Sequence, residues 1–413
     1  MIVKPFAALK PQEKYVKECA ALPYDVMSSD EARKEVEGKP YSFLHIDKAE
    51  IDLEPSIDLY DDRVYQKAAE NLKQFEEIGV YQQDGQKRFY FYRQIMNGRG
   101  QTGIVGCASI DDYLNEKIKK HELTRADKEL DRIRHVDTCS AQTGPIFLAY
   151  KNSACLDAII AKETQKAPLY DFVSDDGVQH TVWESAGADV DKEIEGAFAR
   201  LEALYIADGH HRAASAVKAG VKRREAAPAY DGTEEFNYFL SVIFPADSLK
   251  IFDYNRLLRD LNGMDAAQFL SAVEKALGKV EEVAGKGPYT PDSVHTVGLY
   301  VGKKWYKGSF RAELCEDSSP SNRLDCAILQ KYLLAPVLGI VDPRTDKRID
   351  FVGGIRGLEY LEKRCEEDAV AAISMYPVSM EELISVADAG EIMPPKSTWF
   401  EPKLRSGIFI HKI

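Results

Sequence analysis

Apolar residues return along this chain at two spacings, and each spacing implies an element. Between Tyr60 and Ile78 they fall at Val64, Ala68, Leu72 and Phe75, the interval of a helix with one buried face, and Gly79 stops it. Arg88 to Ile95 and Thr102 to Ile110 read as strands. The Asn97-Gly98-Arg99-Gly100 stretch joining them is a hairpin signal, because Asn and Gly tolerate the positive φ of a tight turn. Short apolar runs predict further strands at Ser42 to Ile46, Ile146 to Tyr150, Leu204 to Ala207, Tyr238 to Phe244 and His295 to Val301. Ser28 or Ser29 offers an N-cap to a helix over Glu31 to Val36. Tyr113 to Val136 is helix-rich, and helices are predicted over Glu193 to Leu204, Ala266 to Leu277 and Leu324 to Leu334.

Strands and helices that alternate in this way imply a mixed α/β fold (α+β in its detail). A helix-rich change in character near residue 250 suggests two parts, an N-terminal lobe over 1–250 and a C-terminal α/β lobe over 251–413. The 413 residues, 45% of them hydrophobic, suffice for two such cores. The net charge of −13 repels a phosphate backbone, and Lys and Arg are interleaved with acids, as from Lys117 to Arg134, so no nucleic-acid partner is expected. Seven scattered cysteines without a Cys-x-x-Cys pair suggest reduced thiols instead of a zinc knuckle or disulfide framework. The first residues lack a signal-peptide pattern and no stretch is apolar enough to span a membrane, so a cytoplasmic protein without a membrane partner is expected.

Candidate chemistry concentrates in Tyr205-Ile206-Ala207-Asp208-Gly209-His210-His211-Arg212-Ala213. An apolar strand running through Asp-Gly into an alanine-rich helix brings the first-turn N–H groups, two imidazoles and a guanidinium around one small volume, which is an anion cradle. The plainer alternative is a helix capped by Asp208 with ordinary polar histidines. Adjacent histidines at a helix start point in different directions, so one of His210 and His211 can be structural.

His121-Glu122-Leu123-Thr124 begins like a zinc-protease helix, but Arg125 stands where the second imidazole is required. What remains is a carboxylate beside an imidazole, enough for general acid-base work at His121 and Glu122, or else a helix start capped at Thr124. Near the C-terminus, Gly390 with Lys396-Ser397-Thr398 mimics a phosphate loop. Pro395 replaces its second glycine and no helix follows, so that loop is rejected, while Lys396, Ser397 and Thr398 stay candidates for a phosphate contact on a proline-braced segment. Asp25, in Pro23-Tyr24-Asp25-Val26, is either a functional carboxylate or a turn residue.

Lys4-Pro5-Phe6, Pro23-Tyr24-Asp25-Val26, His121-Glu122-x-Thr124 with Asp131-Arg132, Gly144-Pro145-Ile146-Phe147, Ala207 to Arg212, and Met393 to Lys403 with Gly407 together resemble the successive motifs of the bacterial domain-of-unknown-function 1015 family. The resemblance runs from the first residues to the last, and that family's chemistry is unassigned. Asp208 to Arg212 alone also resembles the phosphate motif of the ParB/sulfiredoxin superfamily, which includes ParB-type CTP-binding proteins, sulfiredoxin and free-serine kinases. This second resemblance covers about a dozen residues and implies a nucleotide-binding core elaborated by extra strands and helices.

Three functions follow as expectations. The first is a nucleotide-dependent phosphotransferase acting on serine or another small hydroxylated metabolite, or a nucleotide hydrolase. Asp208, Gly209, His210, His211 and Arg212 would hold the phosphates, with Glu122, His121, His210 or Asp25 as the acid-base group. ATP, ADP or CTP is the expected cofactor and magnesium its companion, with the metal ligands unassigned and self-association left open. The second is a ParB-like nucleotide-binding regulator without turnover, which a basic surface would favour. The third, a sulfiredoxin-like redox enzyme, needs a cysteine where His210 stands, and the nearest in sequence is Cys155.

Overall fold

Two strand pairs that run side by side in the same direction decide where the candidate residues meet. In the computed structural model, which describes residues 1–285 and 287–413, a nine-stranded mixed sheet carries the first part of the chain. Its order is Ile118–Lys119, Leu204–Asp208, Ile146–Tyr150, Tyr238–Pro245, Arg99–Ser109, Tyr90–Met96, Gln179–Glu184 and Tyr170–Val173, with Val3–Lys4 also on Arg99–Ser109. Leu204–Asp208 is parallel to Ile118–Lys119, and Tyr238–Pro245 to Ile146–Tyr150; the other neighbours are antiparallel. The α/β expectation therefore holds, with a sheet of both kinds of pairing.

The central strands are buried over most of their length because layers cover both their faces. On one side Phe89, Phe91, Leu148, Ile206 and Phe239 pack against Ala213, Ala216 and Val217 of the helix His210–Ala226. A separate cluster gathers Leu9, Phe43 and Tyr81 around Leu72 and Phe75 of the helix Asp62–Glu77. That helix buries the stripe at Val64, Ala68, Leu72 and Phe75, and Gly79 follows at φ +75. Asn97 and Gly98 take φ 52 and 77, the double positive turn of a two-residue hairpin. Ser28 caps the helix Ser29–Glu35 in a reciprocal box with Glu31.

The strand expected over Ser42 to Ile46 is instead the short helix Leu44–Asp47. Five residues of an apolar run fit either element, and tertiary bonds decide: the Asn71 side-chain amide donates to the His45 carbonyl at 2.6 Å. The stretch Tyr113 to Val136 resolves into the end of a helix Ile110–Leu114, the strand Ile118–Lys119 and the helix Ala126–Cys139. Leu324 to Leu334 is helical, but its second half, Gln330–Leu334, is wound as a π-helix.

The chain divides into two compact units, Met1–Leu249 with Pro402–Ile413, and Lys250–Glu401. The second has its own antiparallel sheet in the order Val280–Glu282, Lys304–Ser309, Thr296–Val301, Ala371–Met375, Tyr254–Leu258 and Ile349–Gly353. Its core includes Leu257, Tyr300, Trp305, Val352 and Leu361. Among the described residues no helix is long and apolar enough to cross a membrane, and the seven cysteines are all free.

Gly220 lets the helix His210–Ala226 lie close to its neighbours. A Cβ there would overlap the backbone carbonyl oxygen of Phe236 and sit 2.9 Å from the Ile110 side chain. Alanine favours a helix interior by about 1 kcal/mol over glycine, yet overpacking against backbone outweighs that. Gly220→Ala is expected to destabilise the protein by roughly 1–3 kcal/mol, read as a lower urea midpoint. A raised midpoint would show that the helix has room to move.

Candidate functional site

The parallel pairing of Ile118–Lys119 with Leu204–Asp208 ends both strands on the same side, so Lys120, His121 and Glu122 emerge beside Asp208, Gly209 and His210. The antiparallel neighbour Ile146–Tyr150 begins there, which brings Gly144 and Pro145 to the same edge. The register slips between Ile206 and Asp208, a bulge that re-aims the last residue of the strand.

Asp208 is not the cap of the following helix. Gly209 holds that place at φ +90, no side chain caps it, and Asp208 Oδ1 accepts the Gly209 N–H at 2.8 Å. The first-turn N–H groups of His210, His211 and Arg212 thus face the strand end without an intrahelical acceptor. Glycine is required at 209 for a second reason: a Cβ would come within 3.0 Å of Arg212 Nε and 3.1 Å of its Cζ.

The Arg212 guanidinium lies across this turn with 10% of the side chain exposed. One terminal nitrogen donates to the Pro145 carbonyl at 2.6 Å, another lies 3.9 Å from Asp208 Oδ2, and Nε is buried without a partner. Burial works against its charge, and Asp25, Asp208, Tyr24 and Asp47 outweigh it, so its pKa stands above the ordinary arginine value. Asp208 shows the reverse balance. Enclosure would raise its pKa, but Lys403, 3.4 Å from Oδ2, and Arg212 bring it down to about 2.

The two histidines of the motif diverge as their helical positions require. His210 is buried, its Nε2 accepts the His121 backbone N–H at 3.4 Å, and its Nδ1 stands 3.8 Å from Glu122 Oε2. An accepting Nε2 assigns the ring proton to Nδ1, on the Glu122 side. His211 Nε2 accepts the Arg125 backbone N–H at 3.1 Å, which anchors the segment before the helix Ala126–Cys139.

The His121 ring meets the His210 ring edge-on, with centroids 4.4 Å apart, and neither of its nitrogens closes a well-aligned hydrogen bond. Burial lowers its pKa to about 4, opposed by Asp208 and the Ile206 backbone. Burial, then His121, pushes His210 well below the ordinary value as well. Both rings are neutral at pH 7.

Thr124 caps nothing: its hydroxyl donates to Glu129, which Lys218 also pairs. Asp25 acts electrostatically on both His211 and Arg212. Glu122 is half exposed, its side chain 49% open. Lys396, Ser397 and Thr398 belong to the second unit, where Ser397 is buried with its hydroxyl on the Pro394 carbonyl at 2.5 Å and Lys396 takes φ 60.

Three contributors escaped sequence reasoning as site residues. Lys403 pairs Asp208, Tyr24 stacks on the buried Arg132 guanidinium at 4.1 Å, and Asp47 accepts from Thr143 at 2.6 Å. Tyr24, Asp47, Arg132, Thr143 and Arg212 line a cavity of about 30 Å³ behind the turn. That is room for a water or two, not for a metabolite. Tyr24 and Lys403 stand inside motifs that the chain displays, and their position in those motifs was the available signal. Among the described residues no three His, Cys, Asp or Glu side chains group as a metal cage.

Comparison with solved structures finds a free serine kinase in complex with AMP at 15% identity and TM-score 0.38, covering 74% of this chain and 91% of that one. SbnI from Staphylococcus aureus, truncated at its C-terminus, matches at 10% identity and TM-score 0.38, with 74% and 85% covered. A conserved hypothetical protein from Pyrococcus furiosus matches at 16% and TM-score 0.35, with 74% and 94% covered. A search of the curated proteins finds no match. The family model described as a protein of unknown function, DUF1015, matches residues 3–327, and the chain belongs to that family.

Proposed function

We propose that the turn from Asp208 to Arg212 cradles the phosphates of a nucleotide, and that the protein is a phosphotransferase acting on a small hydroxylated metabolite or a nucleotide hydrolase. One observation carries this reading. Around an uncapped helix start, the buried Arg212 Nε lacks a hydrogen-bond partner and the N–H groups of His210, His211 and Arg212 have no intrahelical acceptor. Buried polar groups are ordinarily satisfied, so several unmet ones beside one helix terminus favour a ligand that supplies acceptors.

In this reading the N–H groups of His210, His211 and Arg212 bind phosphate oxygens, and the Arg212 fork adds charge-assisted bonds. Asp208, ionised by Lys403 and Arg212, has no proton for a phosphate; it positions Arg212 and fixes the Gly209 N–H. Glu122 is the group that takes the proton of the acceptor hydroxyl, with the Nδ1–H of neutral His210 beside its carboxylate. Since no three candidate ligands converge among the described residues, magnesium would enter on the nucleotide's phosphates, with Glu122 or Asp25 as its protein contact, and would neutralise phosphate charge.

Titration with ATP, ADP, CTP and GTP, with and without magnesium, tests the cradle by its effect on the melting temperature. A nucleotide present at a hundredfold its Kd stabilises the native state by about 2.7 kcal/mol, and Arg212→Lys, which keeps the charge but loses the fork, is expected to weaken binding at least about tenfold. Unchanged melting with every nucleotide would remove the reading. For turnover, Glu122→Gln is expected to abolish product formation from radiolabelled nucleotide with serine and similar acceptors while affinity stays within a few-fold, and Asp25→Asn to do less. Full activity in Glu122→Gln would take that residue out of the mechanism.

The neutral histidines give a pH dependence with a definite sign. A folded His121 pKa of about 4 lies below its unfolded value, so the stability it confers is complete above about pH 6.5 and is lost as pH falls toward 4. Its side of the balance is roughly 3 kcal/mol at full effect. Denaturation series across that window should show this decline in the native protein and a flatter profile in His121→Leu, which keeps the backbone N–H that His210 accepts. Parallel profiles would mean that His121 is not the group responsible.

A further inference from the structure

The second unit buries a guanidinium that no carboxylate among the described residues answers. Arg256 sits in Tyr254–Leu258, between Ile349–Gly353 and Ala371–Met375 in the sheet, and is 4% exposed. Its terminal nitrogens donate to the backbone carbonyls of Tyr254 and of Lys396, the latter at 3.3 Å, its Cζ lies 5.4 Å from the Phe351 ring centroid, and Nε has no partner. The other deeply placed arginines differ: Arg132 has Asp131, and Arg405 has Asp176. Burial lowers the pKa of Arg256, and what opposes it is the weakly acidic Cys326 and Tyr254, not a carboxylate. Carbonyl dipoles satisfy donors, but they do not neutralise a full charge withdrawn from water.

Arg256 forms part of the wall of a cavity of about 300 Å³, at the lower end of the range for small-molecule sites. Phe351, Leu334, Val341 and Pro394 make most of the wall apolar. Gln330, the first residue of the π-helical turn, adds a second unmet group: its amide nitrogen is committed to the Ile340 carbonyl at 2.8 Å, and its Oε1 is buried without a partner. The carboxylate on the wall, Asp342, is already held by Arg344 through two bonds of 2.9 Å. The cavity thus combines one uncompensated planar cation, one free acceptor and an apolar lining.

We propose that this cavity binds a small monocarboxylate with an apolar body and a hydroxyl or amine donor. One uncompensated guanidinium matches one negative charge, and its fork suits the planar carboxylate. The apolar walls take the body, and Gln330 Oε1 accepts from the donor. A phosphate dianion would bring two charges to the one unpaired guanidinium, since the other on the wall, Arg344, is held by Asp342. The site stands independently of the nucleotide reading, since all of its residues lie in the second unit.

The test is calorimetric titration of the full chain, in buffer free of carboxylates, with phenylacetate, 4-hydroxyphenylacetate, isovalerate and 2-hydroxyisovalerate, each beside its neutral amide, and with inorganic phosphate. At least one acid is expected to bind saturably and about tenfold or more tighter than its amide, and the hydroxylated acids better than their parents. Arg256→Met is expected to abolish the preference for acid over amide without lowering the melting temperature of the ligand-free protein, because a buried unpaired charge is replaced by an apolar side chain of similar length. Should that variant fail to fold, Arg256→Lys, which keeps the charge, is expected to retain the preference with weaker binding. No preference for any acid at millimolar concentration, equal binding by Arg256→Met, or phosphate binding in place of the acids would overturn the proposal.

Discussion

Arg212 keeps a full positive charge with only a tenth of its side chain open to water, and the turn around it takes the shape of that guanidinium. Gly209 lacks a Cβ where Nε and Cζ pass, 3.0 and 3.1 Å from where that atom would stand. Pro145, delivered by the antiparallel neighbour strand, presents the carbonyl that fixes one nitrogen. Asp208 is held ionised by Lys403 and Arg212 together, so the strand end, the turn and the returning C-terminal segment share one electrostatic network. Such a pair of charges stands close to surface and core alike, and removing one partner would leave the other enclosed and uncompensated.

The imidazoles follow from the same placement. His121 and His210 come together because two parallel strands end side by side, and their mutual burial keeps both neutral. A neutral His210 with its proton on Nδ1 can act beside Glu122 without adding a competing positive charge. His211, one position on, turns to the Arg125 backbone and serves as an anchor for the helix that packs against its own. Adjacent and identical residues therefore do different work, and the division is set by helical geometry.

Much of the local structure was legible in the sequence because it is carried by short-range signals. The Asn97-Gly98 hairpin, the serine cap at Ser28 and the stripe at Val64, Ala68, Leu72 and Phe75 each need only a few neighbouring residues. The strand, Gly209 turn and helix across Tyr205 to Lys218 were readable for the same reason. What escaped depends on partners distant in the chain. Leu44–Asp47 is a helix, where a strand was expected, because Asn71 and its surroundings make it one, and Lys403 reaches Asp208 across 195 positions. The alternative in which Asp208 caps the helix does not hold: Gly209 takes that position, and Asp208 closes on the Gly209 N–H.

An uncapped first turn with unmet donors is the claim on which the functional reading rests, and it can be observed directly at the backbone. Amide resonances of His210, His211 and Arg212 in protein labelled with nitrogen-15 at histidine and arginine should shift saturably as ADP is added, while those of Arg223 and Arg224 at the far end of the same helix stay in place. Saturable nucleotide binding that leaves the three first-turn amides unmoved would contradict the cradle and place the nucleotide elsewhere on the protein.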